Sequence, residues 1–266
     1  LRVILIFLLF TTTLFSQRKT IVEIENELQK SYQKIQTDRL GNGTIAWDSL
    51  ESDTKTFKEE ITKYIATYPE TLTYEFDSLK KENIDIVTSD DKLFRIYSWN
   101  TWLGGTMEDF ENIFQYKSNA KVYYKNSLDK TTNEWDYIPF YSQIFTLKTA
   151  KKTYYLVIKN GSYSSKDASQ SIQIYTIEDN NLIDSVKLIK TQSGLTNTID
   201  ISFDFFSVVD RPERPLELIK YDKENRIIYI PIVYENGKVT DRFILYKFNG
   251  EYFEHIETKK NKKVKK

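Results

Sequence analysis

The chain contains no cysteine. Disulfides, thiolate metal sites and cysteine nucleophiles are therefore excluded, and no residue here can carry a thiol-linked lipid anchor. Histidine is nearly absent as well. The one copy, His255 in "YFEHIE", cannot build a multi-histidine metal centre. No G-x-S-x-G elbow accompanies it, so His255 reads as a surface strand residue. Glycine and proline are scarce, 8 and 5 residues, which argues against a low-complexity or disordered chain. There is no P-loop and no G-x-G-x-x-G, so the common nucleotide-binding routes are closed. "DKTTNEWD" (129–136) has carboxylates at calcium-loop spacing but lacks the central glycine and closing glutamate. No cofactor and no metal are expected.

Aromatic residues are abundant. The 19 Tyr, 16 Phe and 4 Trp make up 15% of the 266 residues. Such side chains suit pleated, half-buried surfaces and point toward β structure. Acidic and basic residues balance at 38 each, but not evenly. "KKNKKVKK" (259–266) holds six lysines and reads as a basic, solvated, disordered tail. With those and Arg2 set aside, 31 basic residues face 38 acidic ones. A mildly acidic body is a poor nucleic-acid binder, so no nucleic-acid partner is expected.

The beginning reads as a signal peptide over residues 1–16. Arg2 precedes the apolar run "VILIFLLFTTTLF" (3–15), too short to span a bilayer comfortably but suited to the core of an export signal. Cleavage after Ser16 is the natural expectation. The mature protein would then be periplasmic or extracellular, with no integral membrane span.

Two periodicities divide the remainder. Over 17–88, Ile21, Ile24, Leu28, Tyr32 and Ile35 recur at helical spacing, with Thr20 and Glu23 as a capping box. "GNG" (41–43) interrupts the pattern. Trp47, Leu50, Phe57, Ile61, Tyr64 and Tyr68 make a second stripe, starting near Asp48 and stopped by Pro69. A short helix near 74–81 follows. From about 89 to 258 the period becomes two, with candidate strands at 93–99, 111–117, 120–126, 142–149, 152–160, 170–178, 182–189, 198–206, 216–221, 226–234, 239–248 and 251–256. Asn236-Gly237 and Asn249-Gly250 predict type I′ hairpin turns, with "EDNN" (178–181) and "DKEN" (222–225) as weaker ones. Pro231 inside a strand predicts an edge or a bulge. The expected fold class is α+β, mainly β: an N-terminal helical hairpin followed by a large antiparallel β-meander domain. Curved sheet, sandwich, barrel and propeller-like forms all fit that pattern.

Three stretches carry candidate sites. In "FRIYSWNTWLGGTM" (94–107), alternation puts Phe94, Ile96 and Ser98 on one face and Arg95, Tyr97 and Trp99 on the other. Both faces are bulky, which predicts a central strand covered on both sides. Arg95, Trp99 and Trp102 would together make a sugar-stacking or peptide-gripping surface. The plainer reading folds Trp102 back over the helical hairpin as core. "FSVVDRPERP" (206–215) holds Arg211 and Arg214, which either grip a carboxylate or phosphate or stiffen a loop of internal ion pairs. "NGSYSS" (160–165) is a hydroxyl-rich turn. Carboxylate groupings at Asp90/Asp91, Glu108/Asp109/Glu111, Asp200/Asp204 and Asp210/Glu213 are nominal acid–base candidates, and solvated surface charge is the plainer reading of each.

"TSDDKLFRIYSWNTWLGGTM", "YYLVIKNGSYSSKDASQSIQIY" and "FDFFSVVDRPERP" resemble an uncharacterised family of secreted Bacteroidetes proteins, over roughly residues 70 to 256. The resemblance implies a source and no mechanism. The functional expectation is a non-enzymatic binding or interaction protein of the cell envelope, with a glycan or an envelope protein as partner. A carboxylate-dependent glycan hydrolase is the alternative, and assembly through the helical hairpin a third reading.

Overall fold

The computed structural model describes residues 18–40, 45–105, 107–126 and 138–260. The apolar run at 3–15, "GNG" at 41–43, the carboxylate stretch at 129–136 and residues 261–266 lie outside them.

The helical hairpin forms as the periodicity predicts. Helix α1 spans Ile21–Leu40 and α2 spans Trp47–Thr67. The capping box closes: the Thr20 amide donates to Glu23 Oε2 at 2.8 Å, and the Glu23 amide donates to Thr20 Oγ1 at 3.3 Å. α2 starts one residue earlier than predicted, after Ala46, with no side-chain cap. Trp47, placed on the apolar stripe by spacing, is 54% exposed. It occupies the first helical position, beyond the turns that α1 covers. A 3₁₀ turn at Pro69–Leu72 and the short helix α3 (Asp77–Lys81) complete the layer.

Three open sheets follow, antiparallel except for one strand pair. The first contains β1 (Asp85–Thr88), β2 (Phe94–Asn100), β3 (Phe110–Ser118) and β4 (Lys121–Asn126) in chain order. The second contains β5 (Phe140–Lys148), β6 (Thr153–Ser162) and β7 (Asp167–Glu178). The far edge of β7 is shared by β8 (Asn181–Ile183) and β11 (Thr198–Asp204). The third holds β9 (Ile189–Thr191), β10 (Gly194–Thr196), β12 (Lys220–Asp222), β13 (Ile227–Val233), β14 (Val239–Phe248) and β15 (Phe253–Lys260), in the order β10-β9-β15-β14-β13-β12. β15 and β9 run parallel, with Phe253 beside Ile189. β15 also continues two residues into the stretch read from sequence as tail.

The layers stack helices, first sheet, second sheet, third sheet. All seven residues of β2 are buried. Tyr97 and Trp99 face a core made with Leu28, Tyr32, Phe57 and Ile61 of the helices. Phe94 and Ile96 face Tyr155, Val157 and Tyr175 of the second sheet. β6 repeats the arrangement one layer on, with Leu156 and Ile158 packed against Ile189, Ile228 and Phe253 of the third sheet. Each such apolar side chain contributes about 1.5–3 kcal/mol on burial, so these two doubly covered strands hold the stack together.

Buried polar side chains fasten each junction where irregular chain passes between layers. Ser98 Oγ donates to Asn112 Oδ1 at 2.6 Å and accepts the Tyr141 amide at 3.1 Å, while Asn112 Nδ2 donates to the Pro139 carbonyl at 2.9 Å. Gln170 Oε1 accepts the amides of Leu218 and Ile219, and Gln170 Nε2 donates to the Leu216 carbonyl. The strand predicted at 216–221 shrinks to β12 because Gln170 takes over those amides. The strand predicted at 182–189 likewise splits into β8 and β9 where the chain crosses between sheets.

The turns differ in type from the expectation. Gly237 has φ +81°, donates to the Tyr234 carbonyl, and is followed by the Tyr234 amide bonding the Lys238 carbonyl. That is a type I turn with a glycine bulge, one residue longer than type I′. Glycine is required there for space too, since a Cβ would sit 2.8 Å from the Asp204 amide. Asn249 instead caps a four-residue loop by accepting the Glu251 and Tyr252 amides. Paired positive φ values, the type I′ signature, occur at Asn119-Ala120 and Asp179-Asn180. Pro231 does mark a bulge, with the β13–β14 register shifting between Pro231 and Val233.

Two stability predictions follow from these features. Ala120 is held at φ +65°, so Ala120→Gly removes left-handed strain and raises unfolding stability by about 0.5–1 kcal/mol, read by urea denaturation. Asp85 is half-buried at the start of β1, and burial pushes its carboxyl up from 3.8 to about 6. The folded state then holds the proton more tightly than the unfolded chain. The resulting stability is complete below about pH 4 and is lost as pH rises through about 6. Asp85→Asn therefore raises the unfolding midpoint at pH 7 and gives no gain at pH 4.

Candidate functional site: a cavity where three loops meet

Three connections converge on one side of the second sheet. The first is the β2–β3 loop at 101–109. The Trp102 amide donates to Asn100 Oδ1, the Leu103 amide to Thr101 Oγ1, and the Thr101 amide to the Asp109 carbonyl. Gly104 fits because a Cβ would lie 2.3 Å from the Met107 carbonyl oxygen, while Gly105 faces open space. The second is the β6–β7 hairpin tip. Ser164 Oγ accepts the amides of Lys166 and Asp167 and donates to Asp167 Oδ2. The third is the stretch after β11, where Asp204 accepts the Phe206 amide and the Phe205 amide donates to the Lys166 carbonyl.

Between them lies a cavity of about 520 Å³. Phe140, Phe203, Phe205, Pro215 and Leu216 supply its apolar wall. Ser162 and Ser165 line it with hydroxyls that have no protein partner among the described residues. Glu108 and Arg214 also line it. Glu108 accepts one hydrogen bond from Asn100 Nδ2 at 3.2 Å. Arg214 donates to the carbonyls of Arg211, Glu213 and Val209 at 2.8, 2.7 and 3.0 Å. Among the described residues, neither has an opposite charge within 4.0 Å. The same loops also display apolar side chains to solvent: Leu103, Met107, Tyr163, Val209 and Phe206, the last 61% exposed.

The five residues singled out from sequence are not brought together. Arg95 and Trp99 are each 1% exposed and lie in the core against the helices, so no stacking surface forms from them. The Arg95 guanidinium donates to Thr88 Oγ1 at 2.7 Å and to the Thr71 and Tyr74 carbonyls at 2.6 and 2.5 Å. It thereby ties the chain after α2 to β2. Trp102 is half-buried against the helical core, with the Arg39 guanidinium 3.4 Å from its ring centre. Arg211 pairs with Glu213 at 3.5 Å. Of the five, Arg214 alone lines the cavity. Phe140, Phe203, Phe205 and Ser162 were not anticipated as site residues. The Gly-Gly pair, "NGSYSS" and "RPERP" were each conspicuous, but no spacing rule connects three separate loops.

Several of the nominated carboxylates have structural partners. Asp90 pairs with Lys223 at 2.7 Å, and Asp91 accepts Ser89 Oγ and Tyr155 Oη. Glu111 pairs with Lys58 at 2.6 Å. Asp200 and Asp204 are four residues apart on one strand, about 13 Å. His255 is exposed on β15, as expected. Among the described residues, no cluster of His, Cys, Asp or Glu has the makings of a metal site, and no helix is long and apolar enough to cross a membrane. Comparison with family models, curated proteins and solved structures finds no match to this chain.

The role of Arg95 gives a clear expectation. Arg95→Met keeps the volume but leaves the half-buried Tyr74 carbonyl without a donor, at a cost of about 1–3 kcal/mol, while the Thr71 carbonyl keeps the Tyr97 hydroxyl at 2.7 Å. Chemical denaturation should show a loss of about 1–3 kcal/mol.

Proposed function

We propose that this protein is a non-enzymatic ligand-binding protein of the bacterial cell envelope, and that the three-loop cavity is its binding site. The observation that carries the reading is the cavity itself. Its volume and its mostly apolar wall with a few convergent polar groups match the general form of small-ligand sites. Export is supported by the apolar run at 3–15 and by the resemblance to a secreted Bacteroidetes family. A glycan or an envelope protein remains the partner class expected from sequence, with exposed Phe206 and Met107 available at the cavity's loops.

A carboxylate-dependent hydrolase is the alternative. It requires two carboxyls about 5 to 9.5 Å apart across a cleft. Among the described residues lining this cavity, Glu108 is the sole carboxylate. That favours binding over hydrolysis.

Ligand-observed NMR with a library of sugars, short peptides and small amphiphiles tests the reading. Ser165 is exposed on the hairpin tip and lines the cavity, so Ser165→Trp obstructs the mouth with little effect on stability. Ligands of the wild-type protein should lose at least about tenfold in affinity in this variant, about 1.4 kcal/mol. Hits that bind the variant equally well place the site elsewhere.

A further inference from the structure

We propose that the cavity takes a zwitterion with an apolar body, namely an apolar α-amino acid or a short peptide with free termini. The inference rests on the ligand-binding reading and adds the chemistry of the ligand. It comes from the two charges in the lining. Glu108 is half-buried, with one oxygen accepting a hydrogen bond from Asn100 and the other unused. Arg214 spends three N–H donors on loop carbonyls, leaving Nε–H and one Nη2–H of its five. They do not pair with each other or, among the described residues, with any other charged side chain, and the Arg214 guanidinium lies 5.6 Å from the centre of the Phe205 ring.

Loop carbonyls and the Phe205 ring fix the orientation of Arg214, which is exposed, so water rather than an acidic side chain balances its charge. A carboxylate ligand would meet the free edge of the guanidinium, where a charge-assisted hydrogen bond is stronger than a neutral one. An anion alone, however, would meet the like charge of Glu108 in the same cavity. A cation alone would meet the like charge of Arg214. A ligand bearing both charges compensates both at once, with its ammonium toward Glu108 and its carboxylate toward Arg214. The partnerless hydroxyls of Ser162 and Ser165 can serve an amide or the ammonium. The phenyl rings of Phe140 and Phe205, with Leu216, accommodate an apolar side chain, and 520 Å³ holds a residue the size of phenylalanine with room beyond it.

The test is calorimetry on the full protein with matched probes: L-phenylalanine, phenylalanyl-leucine, 3-phenylpropionate, phenethylamine, a neutral disaccharide and the uncharged dye N-phenyl-1-naphthylamine. The zwitterions should bind at least about tenfold more tightly than either singly charged analogue. Glu108→Gln should bring the preference for L-phenylalanine over 3-phenylpropionate to within about twofold. Arg214→Gln should do the same against phenethylamine, with a thermal melt to confirm folding. If that variant fails to fold, the probe series and Glu108→Gln decide alone. Equal binding of 3-phenylpropionate and L-phenylalanine, or an unchanged preference in Glu108→Gln, overturns the proposal. Dye bound in the cavity and displaced by the disaccharide but by no zwitterion also overturns it, while the ligand-binding reading stands. If no probe binds, the dye included, both fall.

Discussion

The stack depends on one requirement: backbone groups of irregular chain that enters between layers must find partners there. Helices and strands satisfy their own amides and carbonyls, but connections do not. This protein meets the need with a few buried polar side chains set among aromatic and aliphatic ones. Arg95 and Gln115 hold the turn after α2 against the first sheet, Gln115 through Thr71 Oγ1 at 2.8 Å. Ser98 and Asn112 hold the entry to β5, and Gln170 holds the entry to the third sheet. Each sits on a doubly covered strand or its neighbour, where apolar contacts exclude water and make a satisfied hydrogen bond count for more.

Because these side chains settle the connections inside the stack, the loops that form the cavity are free of that duty. The β2–β3 loop, the β6–β7 tip and the stretch after β11 are built mostly from local capping by Asn100, Ser164 and Asp204. Rigid strands set where each loop begins, and local caps set its course. The resulting cavity joins a phenyl-lined wall to two charges that the protein leaves unbalanced. The scaffold pairs the polar groups of its buried connections internally, and two charges are left without an ionic partner where strands end.

Much of the scaffold was legible in the sequence, and for identifiable reasons. The switch from helical to alternating spacing located the two halves. Large side chains on both faces of 94–99 marked β2 as a covered central strand, and Thr20 with Glu23 marked the helix start. What spacing alone could not convey was position along an element. Trp47 lies on the right stripe but at an uncovered end. Asn-Gly at 236–237 signalled a hairpin, but the fit against Asp204 set its loop length. β1 and β10, four and three residues long, are too brief to show a period. The cavity was the least legible part. Its wall is drawn from near 105, 140, 162, 205 and 215, and only the stacking of sheets brings those positions together. Arg95 and Trp99 looked like site residues because they are unusual, yet their oddity serves the interior.

The parallel contact between β9 and β15 has a consequence for how the molecule is made. The β9–β10 hairpin is attached to the third sheet through Phe253 and Glu254, which emerge from the ribosome well after it. Until they do, Ile189 has no strand beside it on that side, and part of the second sheet's outer face lacks its cover. The helices and first sheet can mature during synthesis, whereas the last layer closes only when its latest strand slides into an interior slot. Nascent chains halted before residue 253 would thus expose a greasy, incomplete face, which makes the closing segment a checkpoint for the whole assembly.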